Sequence, residues 1–425
     1  MNLVKTSLLN GIAVAIKMLT LLGLNKLLAV YVGPSGYAAI GQFQNVVQML
    51  TTFASGAINN GVTKYTAEYA GDERRLHSLW RTSGTIVLVG ATIASLLIAL
   101  FSNELALLVL GDAEFSGVFL CFAATLIFFS FNTLLLAVLN GRKEIVLYVF
   151  ANIGGSLFSL VVTSVMAIYF GLYGALAALA IYQSLSFLVT FLLCRKTVWF
   201  KVRLFFGVID RKVALNLVKF TAMALTSAIC MPISTMLIRN DIVSTLGWDA
   251  AGYWEAMLRL SAAYLLLVTT TLSIYYLPRL SEITTKKELI FEIKQGYKII
   301  LPVAIFAGVA MYFSRDVIIF LLFTIDFSPV RELFAWQMVG DALKIGSWIL
   351  AYLLLGKAMY KTYIVTEVVF SASYVLFSWC FVRQIGLEGV VLAYAVNYAL
   401  YWVVMITCVA VYFRKMSSTS SSVVK

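Results

Sequence analysis

The chain has 425 residues, of which 61% are hydrophobic and 12% charged, whereas an ordinary soluble protein carries about 25% charged residues. A solvated globular architecture is thereby excluded, and twelve bilayer crossings at about 20 residues each would use roughly 240 residues, leaving no room for a soluble catalytic domain. The formal charge of +12 points first to positive cytoplasmic loops in an integral protein, and not to nucleic acid as a partner.

Apolar runs bounded by charge or by Gly and Pro predict helices over 7–33, 37–64, 80–101, 115–140, 145–170 and 174–194, then 216–239, 251–277, 296–313, 331–356, 362–382 and 389–413. The first run is too long for a cleavable signal peptide and has no A-x-A-like site after it, so it stays as the first helix. It carries Lys17 and Lys26, nine residues apart and therefore on opposite sides of an ideal helix. The second helix spaces Gly41, Asn45, Gln48, Thr52, Ser55 and Asn59 by alternating steps of four and three. Such a stripe faces water, a polar ligand or hydrogen-bonding helix neighbours. Lys64 closes that helix, and the loop 102–114 that follows the third helix is acidic. Asn152, Ser156, Ser159 and Thr163 form a stripe of smaller residues in the fifth helix, better suited to tight packing.

Between the halves, 195–215 interleaves basic and aromatic residues as an interfacial segment against anionic lipid would. Pro232 is expected to kink the seventh helix. In the eighth, Glu255 and Arg259 are four apart, with Arg279 at the end. In the tenth, Gln337, Asp341 and Lys344 share one face. Either charged pair can close on itself at that spacing; the alternative is that it faces a hydrated cleft. Glu367 sits near a helix end and can snorkel. The tail SSTSSSVVK is expected to be disordered.

Most of the 32 Lys and Arg fall on the side of both termini, with Arg239, Arg315, Arg331 and Arg383 alone opposite. Both termini are therefore expected in the cytoplasm. Five dispersed cysteines without a CxxC pair, one histidine (His77) and no GxxxxGK[ST] loop leave no disulfide framework, zinc site, histidine triad or ATP site. No cofactor or metal is expected.

A weak repeat runs through the chain at an offset near 215. NLVK at 2–5 returns at 216–219, Lys64 matches Arg279, Gly141 matches Gly356, and GLYG at 171–174 matches GLEG at 386–389. This divides the chain into a six-helix bundle over 1–194, a cytoplasmic interfacial linker over 195–215, a second bundle over 216–413 and a tail over 414–425. An even number of helices keeps the two halves in one orientation, related by a pseudo-two-fold axis along the membrane normal. The expected fold is thus all-α and polytopic, with about twelve membrane helices and a cleft between the halves.

Charges within spans cost roughly 2.5–3.5 kcal/mol each if they face lipid, so they must face protein or water. Lys17, Arg259 and Lys344 at depth, with Lys26, Lys64 and Arg279 towards the mouths, make a candidate cationic cleft. Asn45, Gln48, Thr52, Asn59 and Gln337 are its candidate polar lining. Arg suits bidentate phosphate binding and the polar lining suits hydroxyls, so the chemistry points to a phosphorylated, sugar-bearing amphiphile.

GVTKY at 61–65, the GYWE…AYL run at 252–265, YYLPRLSEIT at 275–284 and LFAWQMVGDALK at 333–344 resemble the Wzx-type lipid-linked oligosaccharide flippases. These form a branch of the multidrug/oligosaccharidyl-lipid/polysaccharide exporter superfamily. The resemblance implies a MATE-like fold in the Gram-negative inner membrane. It implies transfer of an undecaprenyl-pyrophosphate-linked glycan, an O-antigen unit or the lipid III of enterobacterial common antigen, from the cytoplasmic to the periplasmic leaflet by alternating access. Coupling to H+ or Na+ is implied too, with a glycan polymerase and a chain-length regulator as companions. Lys64, Asp341 and Lys344 match the family pattern. Ala262 stands where the pattern has an acid, which leaves Glu255 and Asp341 as coupling candidates. A multidrug exporter of the same superfamily is the alternative reading, and a membrane glycan polymerase or ligase a more distant one.

Overall fold

The computed structural model describes residues 3–283, 285–357 and 359–422. Asn2 of the first NLVK, Thr284 and the end of the expected tail, 423–425, lie outside the described residues. In chain order the helices are α1 (Leu3–Tyr31), α2 (Gly33–Ala54), α3 (Asn59–Glu68), α4 (Glu73–Leu100), α5 (Ser102–Leu110), α6 (Ser116–Gly141) and α7 (Ile145–Arg195). There follow α8 (Arg211–Leu246), α9 (Trp248–Thr271), α10 (Leu277–Glu282), α11 (Lys286–Phe313), α12 (Arg315–Leu322), α13 (Val330–Gly356), α14 (Tyr360–Ile385) and α15 (Glu388–Ser422). Short 3-10 turns lie at Ala113–Phe115, Val202–Phe205 and Ile325–Phe327, and a π turn at Leu272–Tyr276 joins α9 to α10. Among the described residues seven helices are long and apolar enough to cross a membrane.

The element order repeats. A long helix split near its end (α2 and α3) matches α9, the π turn and α10; α4 matches α11; the short α5 and its 3-10 turn match α12 and its 3-10 turn; and α6 matches α13. Asp72 caps α4 by accepting from the Arg75 amide, and Thr285 caps α11 by accepting from the Glu288 amide. The repeat extends to burial, since 61% of the apolar window is buried in α6 and in its counterpart α13, against 17% in α7 and in its counterpart α14. The former are central helices and the latter turn apolar surface to lipid.

Gly171, at φ +55° and ψ −134°, breaks α7 into two arms. Gly386, between α14 and α15, is its counterpart at φ +70° and ψ −147°. The arms of α7 fold back on each other, because an added Cβ at Gly154 would lie 2.9 Å from Val189 and one at Gly155 would lie 3.2 Å from Ser186. Ser159 and Thr163 of the small-residue stripe are buried in this packing. Ser184 donates to the Thr125 carbonyl and Thr190 to Asn132, tying α7 to α6. Lipid is as apolar as leucine, so such close approach and interhelical hydrogen bonding supply what hydrophobic burial cannot.

Several elements differ from the sequence reading. The helix expected over 37–64 is interrupted at 55–58, where Gly56 and Ala57 take φ of +62° and +52°. The amides of both bond back to α2 carbonyls, a left-handed helix stop. Asn59 therefore does not continue the stripe of Asn45, Gln48 and Thr52. The stretches 102–114 and 314–330, expected as loops, contain α5 and α12. Each is too short to cross a bilayer, and each carries an acid in its first turn, Glu104 or Asp316, that favours the positive end of the helix dipole. Helix α8 runs to Leu246 and so encloses Arg239, expected as the last residue of its helix at 239. The last helix runs to Ser422, where a disordered tail from 414 was expected.

Two compact units result, residues 1–232 and 233–425, with the division at Pro232 inside α8. The first has a core around Trp80, Leu79, Leu134 and Val138. In the second, Tyr276, Leu280, Ile345 and Ile349 gather about α13.

Candidate substrate and coupling site

The second unit holds two adjoining polar clusters on one helix, α9. Glu255 is 6% exposed and lies between two arginines. Arg239 Nη2 donates to one carboxylate oxygen at 2.5 Å and Arg259 Nε to the other at 2.8 Å. The Arg239 guanidinium also lies 5.4 Å from the Trp254 ring centroid. The triad carries one net positive charge. The self-closed form of the Glu255 and Arg259 pair is thus present, and Arg259 is not the unengaged cation that a cleft reading requires; Arg239, 1% exposed, supplies the surplus.

Further along α9, Ser261 and Tyr264 both donate to Asp341 Oδ2, at 2.6 and 2.7 Å. Tyr394 and Gln337 donate to Oδ1, at 2.9 and 3.2 Å. Asp341 is 1% exposed, yet its donors are all neutral. Lys344, one turn on, lies 4.9, 5.7 and 5.6 Å from the ring centroids of Trp348, Tyr394 and Tyr398. No carboxylate lies within 4 Å of its Nζ among the described residues. The Asp341 and Lys344 pair is therefore not closed on itself. A half-buried ammonium against three π faces is the arrangement of a cation–π cage.

Backbone shape makes this cluster possible. A Cβ at Gly340 would lie 2.3 Å from Tyr394, so only glycine lets that ring reach Asp341. Gly346 does the same for Trp402, with 2.8 Å to its ring. Trp402 in turn donates to Tyr297, which donates to the Gly346 carbonyl.

The remaining candidates are dispersed. Arg279 is half-exposed with Glu292 3.6 Å away. In the first unit Lys17 is exposed, Lys26 half-buried, and Lys64 exposed with its Nζ 5.3 Å from the Tyr65 ring centroid. A cavity of about 260 Å³ is lined by Gln44, Gln48, Thr51, Tyr182 and Gln183 with Phe43 and Phe129. Of the expected lining only Gln48 reaches it. Asn45, Thr52 and Asn59 are not among its walls, and the Thr52 hydroxyl is used by the Gln48 carbonyl of its own helix. The cavity faces Gln44, Gln48 and Thr51, a face turned from the expected stripe.

Sequence reasoning missed Arg239, Ser261, Tyr264, Tyr394 and Tyr398. Arg239 marked a helix end because a charge ordinarily does. The i,i+4 pair Tyr394 and Tyr398 was readable as a stripe, but aromatic residues in a membrane chain read as packing until an acid is seen beneath them.

A family model described as polysaccharide biosynthesis protein matches residues 3–284, well over half of the chain. The chain belongs to this family. Relatives similar to it include the lipid III flippases of Escherichia coli (strain K12) and Shigella flexneri, each 30% identical over 402 residues, covering 95% of this chain and 97% of the relative. The family resemblance read from GVTKY and LFAWQMVGDALK is thus borne out. An inward-facing MATE family multidrug resistance transporter of the MOP superfamily aligns with a TM-score of 0.77 at 14% identity over 95% of this chain and 96% of its own. A MOP superfamily transporter from Pyrococcus furiosus aligns with a TM-score of 0.63 at 13% identity over 95% and 96%. These identities carry the fold alone. The fold is the expected one, an all-α, polytopic, MATE-like membrane architecture.

Proposed function

We propose that the chain is a flippase that carries a polyprenyl-pyrophosphate-linked oligosaccharide across the inner membrane, from the cytoplasmic to the periplasmic leaflet, by alternating access. The observation that carries this is near full-length similarity to proteins named lipid III flippase. The glycan is then an O-antigen unit or a common-antigen unit of lipid III type, handed to a polymerase with its chain-length regulator. Both termini lie in the cytoplasm on the distribution of Lys and Arg. A multidrug exporter reading rests on fold likeness alone.

In this reading the net-positive triad of Arg239, Glu255 and Arg259 and the caged Lys344 attract the pyrophosphate. Lys17, Lys26, Lys64 and Arg279 attract it along its route, and glutamines such as Gln48 meet the sugars. Asp341 is the coupling group, for H+ in preference to Na+. Its oxygens are held by hydroxyls and an amide, groups that can rotate or exchange roles as a proton arrives, whereas Glu255 is already neutralised by two arginines. An intramembrane acid without a charged partner is a proton-relay candidate by its energetic cost.

The test is complementation of flippase-deleted strains with defined glycans. Lys344→Glu is expected to abolish glycan export at unchanged membrane level. Full export by both Lys344→Glu and Arg259→Glu would overturn the assignment.

A further inference from the structure

The segment between the two repeats has a purpose of its own in the structure. Five positions on α4 fasten it. Ser78 donates to Asp210 at 3.1 Å, and Thr82 accepts from the Asp210 amide at 3.0 Å. Thr85 exchanges bonds with the Gly207 backbone at 2.9 and 3.2 Å. Trp80 stacks on Phe205 at 5.9 Å and 4°. Gly84 admits the Phe205 carbonyl, which a Cβ would meet at 2.0 Å. A segment anchored so often is a built element and not a loose connection.

What it builds is a bay of about 520 Å³ lined by Arg81, Lys201, Val202, Arg203, Leu204 and Phe206. No acid lines it, and none of its three cations has a carboxylate within 4 Å among the described residues. Around it the same segment shows Val198 98% exposed, Val208 86% and Val202 50%. Apolar side chains this bare flanking three unpaired cations would be unfavourable in water and suit the headgroup boundary of a bilayer.

We propose that this bay binds the headgroup phosphate of an anionic phospholipid, of the phosphatidylglycerol or cardiolipin class, with Arg81, Lys201 and Arg203 around the phosphate and the exposed valines in the acyl boundary. The charge favours anionic over zwitterionic lipid, and the apolar rim favours a lipid over a free phosphate. The bay shares no residue with the polar clusters of the second unit and does not depend on the flippase reading.

The test uses the full detergent-solubilised chain and native mass spectrometry, titrating phosphatidylglycerol or phosphatidylcholine. Each cation near an anionic surface contributes roughly a fivefold factor in affinity. The double variant Lys201→Gln/Arg203→Gln is therefore expected to bind phosphatidylglycerol about 25-fold more weakly, on the same per-charge basis, with phosphatidylcholine binding unchanged. Lys201→Arg/Arg203→Lys, which keeps the charge, should bind as the parent does. The equal charge change Lys287→Gln/Lys294→Gln, elsewhere on the chain, should leave binding intact. Unchanged binding in the bay variant, or equal loss in the distant control, overturns the proposal. Displacement of the lipid by millimolar inorganic phosphate or pyrophosphate overturns it too, since the bay would then serve a soluble anion.

Discussion

At the residue scale, the two acids of α9 and α13 are held in opposite ways. Glu255 is held by cations, so removing its charge leaves two arginines facing each other, one of them fully buried. Breaking a buried pair from one side costs about 3–5 kcal/mol. Glu255→Gln is thus expected to lower the thermal midpoint of the purified protein sharply, and Glu255→Gln/Arg239→Met to recover much of it. Asp341 is held by neutral donors, and Asp341→Asn turns one acceptor into a donor facing hydroxyl or amide groups. The cost is smaller, about 1–3 kcal/mol. The protein should fold, and export by this variant should lose its response to dissipation of the proton gradient, measured in cells with a protonophore. A third acid belongs to the linker. The Ser78 hydroxyl, with the Val213 and Lys212 amides, holds the Asp210 carboxyl below its usual value. Its folded pKa is depressed, so its contribution to stability is complete above the ordinary aspartate pKa of about 3.9 and fades as pH falls through the lower folded value. Tryptophan emission from the Trp80 and Trp199 pair, followed downward from pH 5, should therefore change only in that acid range. In Asp210→Asn that acid-dependent change should be absent.

At the scale of elements, the two glycine breaks are the sharpest local requirement. Gly171 and Gly386 combine positive φ with ψ near −140°, a region almost closed to other residues. Alanine at either is expected to cost about 1–3 kcal/mol, while Gly11→Ala, in open space within α1, should not destabilise. Thermal unfolding of the three variants checks this. GLYG and GLEG were legible in the sequence because glycine punctuation is strong. The interruption at Gly56 and Ala57 was not, because a polar stripe continued in register across it and Ala57 gives no sign of a left-handed backbone. Helices α5 and α12 escaped for another reason. A reading that looks for spans about 20 residues long discards amphipathic pieces of nine and eight. Arg239 and the tyrosines around Asp341 were invisible because their roles come from partners distant in sequence. Asp341, Gln337 and Lys344 were found because they share one face of one helix.

Across the whole molecule, duplication accounts for most of what the sequence revealed. Paired elements recur with their caps, their short helices and their burial, although few residues are shared between halves. The path of the backbone repeats more faithfully than its side chains, and the buried charge is one-sided. Among the described residues the buried acids Glu255, Glu292 and Asp341 and the buried Arg239 lie in the second unit, and the first has a glutamine-lined cavity. Orientation is open to direct measurement. In a cysteine-free background, Lys196→Cys and Lys361→Cys should react with a membrane-impermeant maleimide only from the cytoplasmic side, and Asp112→Cys and Asp326→Cys only from the periplasmic side.

Tyr394 gives its hydroxyl to Asp341 and its ring face to Lys344. One side chain therefore serves two masters, and neither can be rearranged without disturbing the other. Thermodynamic reciprocity then applies to whatever the two attract. By whatever factor an arriving proton alters the hold on an anion, that anion alters the hold on the proton by the same factor. Phenylalanine in place of Tyr394 would keep the ring and remove this link, weakening the coupling to what the two charges, one turn apart on α13, carry directly.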